Sequence, residues 1–258
     1  MLVRSWNLFH GNTVPPQRAG FLDEMIRVAT EDAPDVLCVQ EVPAWALDRF
    51  TAGDVAARPR AISAGLGRRL TRPNHGFFRS AFTGQGNAIL AGPSLRVLAH
   101  SSLVLNTRRF RGAQARLLGL GPHARLAWAR ERRIVQALRL ADGGGRTFLV
   151  ANLHCTSYAA DERLADAELL RAASFAVSEA GSDDVVVLAG DFNLRVADSR
   201  TLHDLAGAEW GFSEPGPGID HILVRGAAST PVRHWADEQR AHGDRFLSDH
   251  TPVELDIT

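Results

Sequence analysis

Lysine is missing from this sequence: all 29 cationic side chains are arginine. In a chain also rich in alanine and glycine this reflects a GC-rich coding composition, although guanidinium groups suit bidentate phosphate binding. Cysteine is scarce. Cys38 and Cys155 sit in apolar stretches, DVLCVQE and VANLHCTS, and form no CxxC pair. That argues against a thiolate metal site and against a disulfide framework. No apolar run is long enough to span a membrane, and MLVRSWNLFHGN lacks the apolar core of a secretory signal, so a cytoplasmic protein with no transmembrane segment is expected. Net charge is absent as well, with 29 basic residues against 29 acidic ones. No overall basic field advertises nucleic acid, and no acidic excess advertises a basic partner.

What is present is a chain of 258 residues, 45% hydrophobic, without repeat, low-complexity tract or linker. It is read as one domain over residues 1–258, monomeric by default. Strand-like and helix-like segments alternate. LVRSWNLF opens as a strand, and apolar Phe21, Leu22, Met25, Ile26 and Ala29 predict a helix within residues 17–32. DVLCVQE, GNAILAG, LRVLAHSSLVL, ERRIVQALRL, RTFLVANLH and VVVLAGDFN read as further strands. DERLADAELLRAASFAVSEA reads as a long helix stopped at Gly181. So many strands with few long helices suit two packed sheets with helices outside.

The informative residues are polar ones that interrupt apolar strand ends. Asn7 closes the first strand and Glu41 the second; Asn152 and His154 close another. Asp191 and Asn193 follow VVVLAG, Asp220 and His221 lie in GIDHIL, and Asp249 and His250 in LSDHTPV. Such residues converge on one rim of a sheet. Glu41, Asp191 and Asp249, with the Asn7 and Asn193 amides, form an oxygen-rich donor set that suits Mg²⁺. Zinc would ask for closely spaced His or Cys, and no HxxxH is present. His154 and His250 suit proton transfer or charge stabilisation, and Asp220 suits orienting His250.

SWNLFHGN, VQE, GNAIL, NLHCTS, GDFN, GIDHIL and LSDHTPV follow one another from Asn7 to His250. In that order they resemble the endonuclease/exonuclease/phosphatase superfamily, which includes deoxyribonuclease-like and abasic-endonuclease-like phosphoesterases. The resemblance implies an α/β fold of two packed mixed β-sheets flanked by helices, a four-layer α/β sandwich with the site at one rim. It implies Glu41 as principal Mg²⁺ ligand, Mn²⁺ being a possible substitute, with Asn7 and Asp249 nearby. Asp191 and Asn193 would orient the nucleophile and bind phosphate. His250, paired with Asp220, would be the general base, and His154 would contact the scissile phosphate. The chain departs from the pattern at three places. Its one tyrosine, Tyr158, follows NLHCTS; Asn87 stands where the deoxyribonuclease branch has a Glu beside the equivalent of His154; and GIDHIL replaces the Trp-Cys-Asp-Arg motif of inositol-polyphosphate phosphatases. An Asn at position 87 supplies no negative charge, so His154 is expected to be less readily protonated.

The expected activity is hydrolysis of a phosphate ester by water, first of a phosphodiester in DNA or RNA. The alternative is a lipid head group or small metabolite, and the second alternative a non-catalytic binding module on the same fold. Asn87, Asn152 and Arg130 are candidate substrate-side residues, with Arg130 and Glu131 expected to pair near the site. Residues 108–116, RRFRGAQAR, read either as a solvated basic loop or as an arm in which Arg108, Arg109 and Arg111 bind phosphates beside Phe110. His10 and His221 are left as structural or surface residues, and Trp6, Trp45 and Trp128 as packing.

Overall fold

The computed structural model describes residues 1–17, 20–43, 46, 85–130 and 132–258. The chain opens with β1 (Leu2–Asn7), passes through a 3-10 turn at Phe9–Gly11 and the short β2 (Thr13–Val14), and forms α1 (Leu22–Thr30) and β3 (Val36–Pro43). β4 (Gln85–Ala91) and β5 (Arg96–Val104) precede two helices, α2 (Arg108–Leu117) and α3 (Pro122–Arg130). β6 (Ile134–Ala141), β7 (Thr147–His154), α4 (Arg163–Glu179), β8 (Val185–Asp191), α5 (Arg200–Ala206) and β9 (Asp220–Arg225) follow. The short β10 (Arg233–His234), β11 (Ala241–His242) and β12 (Arg245–Leu247) lead to β13 (Val253–Asp256).

One mixed sheet has the order β10-β13-β1-β3-β4 and the other β5-β6-β7-β8-β9; a small third sheet joins β11, β12 and β2. Period-two alternation assigns the faces of the strands. In β7, Leu149, Ala151 and Leu153 pack with Ala165, Leu169, Ala172, Ala173 and Ala176 of α4. Phe148 and Val150 point the other way, into a core shared with Val36, Cys38 and Ile89 of the first sheet. Leu22, Met25 and Val28 of α1 cover that sheet's outer face over Trp6, Leu37 and Val39. The layers are thus helix, sheet, sheet, helix. Each large aliphatic side chain buried there contributes about 1.5–3 kcal/mol. Among the described residues, no helix is long and apolar enough to cross a membrane.

Several boundaries differ from expectation for local reasons. α1 starts at Leu22 because Phe21 N–H is tied back to Gly11 O at 2.9 Å. The arginine-rich segment is not a loop but α2, capped by the Thr107 hydroxyl, which accepts from Phe110 N at 3.3 Å. α3, with Pro122 at its first position, has no counterpart in the sequence expectations. α4 ends at Glu179, with Ala180 already extended.

Register places the site. His154 pairs with Asp191, and Asp191 with Asp220, across the ends of β7, β8 and β9. Asn7 pairs with Gln40 in the facing sheet, and Val253 with Ser5, so the segment before β13 reaches the same rim. Val104 of β5 pairs with Ile134 of β6. The α2–α3 excursion between them therefore leaves from this rim too.

Candidate active site

Asp191 owes its position to the glycine before it. Gly190 has φ +142°, and a Cβ there would lie 1.9 Å from Leu153 O, so only glycine lets β8 end this close to β7. Asp191 Oδ2 then lies 3.4 Å from His154 Nε2. Asn193, left-handed at φ 52°, donates its backbone N–H to Asp191 Oδ1 at 3.0 Å and its Nδ2 to Cys155 O at 3.1 Å. Asn7 Nδ2 donates to Asp191 Oδ2 at 3.0 Å from the facing sheet. Burial and the neighbouring Asp220 push the Asp191 carboxyl up to about 7.

His250 arrives on the loop before β13. Ser248, left-handed at φ 63°, donates its hydroxyl to Asn7 O at 2.6 Å and accepts His250 N–H at 3.1 Å, while Trp6 Nε1 donates to His250 O at 3.0 Å. His250 Nδ1 meets Asp220 Oδ2 at 2.7 Å, which turns Nε2 toward Asp191 Oδ2 at 3.8 Å and Asp249 Oδ1 at 3.9 Å. Burial opposes the imidazolium, but the Asp220 hydrogen bond and the three surrounding carboxylates outweigh it and raise His250 to about 10. The Asp249 carboxyl is raised, first by burial.

Glu41 sits where β3 slips register against β4 between Val39 and Val42, itself left-handed at φ 54°. Its Oε2 is 2.9 Å from His10 Nε2 and its Oε1 4.0 Å from His154 Nε2. Burial alone would raise this carboxyl; His10 and the other facing imidazoles hold it below the usual carboxylate range. His154 is pushed well below the ordinary imidazole value, by burial first and then by Arg133.

One rim gathers Asn7, Glu41, His154, Asp191, Asn193, Asp220, Asp249 and His250. Asn152 stands apart. It lies two residues deeper along β7, fully buried, taking Gln40 Nε2 at 2.8 Å on Oδ1 and donating Nδ2 to Val39 O at 3.0 Å and Ala88 O at 2.8 Å. The expected substrate contact is instead a staple between the two sheets, its amide groups already engaged. Asn87 is buried and donates to Ile134 O at 3.3 Å. Arg108 and Arg109 are exposed, whereas Arg111 Nη1 donates to Asn106 O at 2.7 Å and holds the start of its own helix. Arg130 ends α3, but the expected pairing with Glu131 lies outside the described residues, as does Trp45.

Sequence reasoning passed over three features. His10 sits on Glu41. Glu168 of α4, fully buried, accepts Thr156 N–H at 2.7 Å, the Thr156 hydroxyl at 2.8 Å and Trp128 Nε1–H, clamping the loop after His154 to α3. The third is charge segregation. Residues 55–130 contain 13 arginines and no Asp or Glu, so the other 16 arginines face all 29 acidic residues elsewhere. The zero sum of the whole chain conceals it, and a windowed count would have found it.

The donor set suits a divalent cation. One ligand atom from each of Asp191, Asp220 and His250 lies within 4.8 Å of the others, and buried Asp220 Oδ1 has no hydrogen-bond partner among the described residues. Glu41 and Asp249 add carboxylates from the facing sheet. Two adjacent buried carboxylates, one already driven toward its neutral form, are what a hard cation stabilises.

The same fold recurs in known proteins. A TDP2 from D. rerio, humanized by 14 mutations, superposes with a TM-score of 0.64 at 15% identity, covering 100% of this chain and 98% of that one. A mannosyl-6-phosphatase from Bacteroides thetaiotaomicron gives 0.62 at 16%, covering 100% and 99%. A functionally unknown conserved protein from Enterococcus faecalis gives 0.65 at 16%, covering 100% and 99%. No curated protein matches the sequence. The sequence pattern of the Endonuclease/Exonuclease/phosphatase family matches residues 5–250, from the residue beside Trp6 to His250 itself. With that match spanning every rim residue from Asn7 to His250, on a sandwich shared with a TDP2 and a mannosyl-6-phosphatase, the chain belongs to the endonuclease/exonuclease/phosphatase family and has its phosphoesterase fold.

Proposed function

We propose that the chain is a Mg²⁺-dependent nuclease that hydrolyses a phosphodiester of nucleic acid, Mn²⁺ serving as substitute. The observation that carries the substrate is the acid-free α2–α3 excursion leaving the site rim. Arg108 and Arg109 occupy the first turn of α2, where the helix dipole disfavours cations. Their exposed guanidiniums make sense as groups awaiting a polyanion. A D. rerio TDP2 of the same fold is complexed with single-stranded DNA product.

Glu41 and Asp249, with the Asn7 amide beside them, would hold the ion, which supplies charge neutralisation at the phosphoryl oxygens. His154 at the end of β7 and Asn193, two residues past β8, would bind the phosphate. Asp220 fixes the His250 ring by its 2.7 Å contact, leaving Nε2 to take the proton of the attacking water. A cation held there would offset the carboxylates that raise His250 and so would favour the neutral ring. Asp191 orients the water from the side opposite Asp220.

Replacing the exposed Arg108, Arg109 and Arg116 together with Ala tests the substrate. Each phosphate contact on a single strand contributes about 0.7 to the slope of log affinity against log salt. Losing three should flatten the slope by about 2 and weaken oligonucleotide binding, with hydrolysis of a small chromogenic diester unchanged. An unaltered slope would refute the arm. Leu117 and Leu126 on the same excursion are 77% and 71% exposed, which favours a lipid phosphoester as the second reading. Hydrolysis of lipid vesicles alongside inert oligonucleotides would establish it instead.

A further inference from the structure

His10 is held in a costly conformation for one contact. Phe9, His10 and Gly11 are successively left-handed, at φ 44°, 56° and 81°, a region that residues other than glycine rarely adopt. The turn is fixed on every side. Phe9 N–H donates to Asn7 Oδ1 at 3.0 Å, Gly11 N–H to Leu8 O at 2.7 Å, and Asn12 N–H to Phe9 O at 3.0 Å. Gly11 leaves no room beside Leu22, whose Cβ would lie 3.0 Å from an added Cβ. The product is a nearly buried imidazole whose Nε2 donates to Glu41 Oε2 at 2.9 Å.

Glu41 is left-handed too, at a break in the β3–β4 register. Two strained backbone positions on separate elements therefore meet in one side-chain pair. The pair divides the carboxylate: Oε2 is engaged by His10, while Oε1 faces the rim, 4.0 Å from His154. A carboxylate left to rotate would lose entropy on binding a cation and could swing away from it; one already held by a hydrogen bond would not.

We propose that His10 is a positioning residue for metal binding, fixing Glu41 so that Oε1 is presented to a divalent cation at the rim. The inference rests on the reading of Glu41 as a ligand, and the experiment separates the two. Mn²⁺ binding is measured by calorimetry, and melting in EDTA, for the full chain and for Glu41→Gln, His10→Ala and His10→Gln. Glutamine places its Nε2 donor near that of histidine. Loss of an outer hydrogen bond of this kind typically weakens metal binding about 10–100-fold. His10→Ala should weaken Mn²⁺ binding by that factor, and His10→Gln should restore it to within a few-fold at a melting temperature in EDTA equal to the parent's. If Glu41→Gln binds Mn²⁺ as the parent does, the ligand reading itself fails. If Glu41→Gln is impaired while His10→Ala is not, the positioning role is overturned. Equal impairment of His10→Ala and of a normally folded His10→Gln also overturns it, because the donor would not be what matters.

Discussion

Strand β8 has an aspartate at each end. Asp184 precedes Val185 at its start and Asp191 closes it, and both side chains are buried. Asp184 is fully satisfied: Arg139 donates Nε at 2.7 Å and Nη2 at 3.0 Å, and Gly181 N–H donates at 2.8 Å. The Arg139 bonds outweigh burial and bring its carboxyl down to about 2. Asp191 also receives hydrogen bonds, but burial first, and then the neighbouring carboxylate of Asp220, push it up to about 7. The residue type and the strand are alike; the depth and the partners differ. At one end a carboxylate is placed where the fold gains from its charge. At the other, two carboxylates are held side by side at the fold's expense, as the proposed cation site would require.

Breaking the functional end should produce the larger effect. Asp191→Asn removes the charge and keeps the shape. If Asp191 orients the attacking water, turnover on an oligonucleotide should fall on the order of 10³-fold or more. Stability should change by less than about 1 kcal/mol, because the relief of repulsion with Asp220 offsets a weakened bond from Asn7. Turnover and urea denaturation in EDTA check this together. Near-normal turnover would remove Asp191 from the reaction.

Breaking the structural end should do the reverse. Asp184→Asn loses the charge that Arg139 grips, at a cost of about 1–2 kcal/mol once Arg139's partial exposure is discounted, with turnover unchanged. The pH dependence has a definite sign. A carboxyl lowered from 3.8 to about 2 stabilises the fold above pH 4, and that contribution is lost as pH falls toward 2. The difference in unfolding free energy between parent and variant should therefore be constant from pH 5 to 7 and vanish in acid, on the order of 1 kcal/mol per pH unit between. A difference that grew in acid would contradict the assignment.

The rim residues were legible because a polar residue that ends an apolar strand has few reasons to be there. Asn7, Glu41, Asp191, Asp220 and His250 stand out this way whether or not the fold is known. Depth was not legible. Asn152 and His154 share one face of β7, but two residues of rise move Asn152 from the rim to the space between sheets. His10 was missed for a different reason: its contact depends on three consecutive left-handed residues, which no periodicity reveals. The layering of the fold followed from strand number and apolar alternation. α2 and α3 did not, since their apolar faces are short and interrupted by arginine.

The smallest predicted effect concerns Gly181, read from the sequence as a helix stop. Its φ is not left-handed, and Ala180 has already left the helix, so backbone freedom is not what the position requires. Space is. A Cβ on residue 181 would lie 2.6 Å from Arg139 Nη2 and 3.4 Å from Asp184 Oδ1. Gly181→Ala therefore bears on the same pair as Asp184→Asn, but only through one end of a flexible guanidinium. Arg139 can keep its 2.7 Å Nε bond to Asp184 while Nη2 swings toward solvent. The expected cost is about 0.5–1 kcal/mol, roughly one hydrogen bond. Alanine's smaller unfolded-state entropy offsets part of it. In Asp184→Asn the pair is already weakened, so adding Gly181→Ala should cost less than it does in the parent. Denaturation of the two single variants and the double variant measures that coupling. Strict additivity would mean that Gly181 serves the chain's path there and not the grip of Arg139 on Asp184.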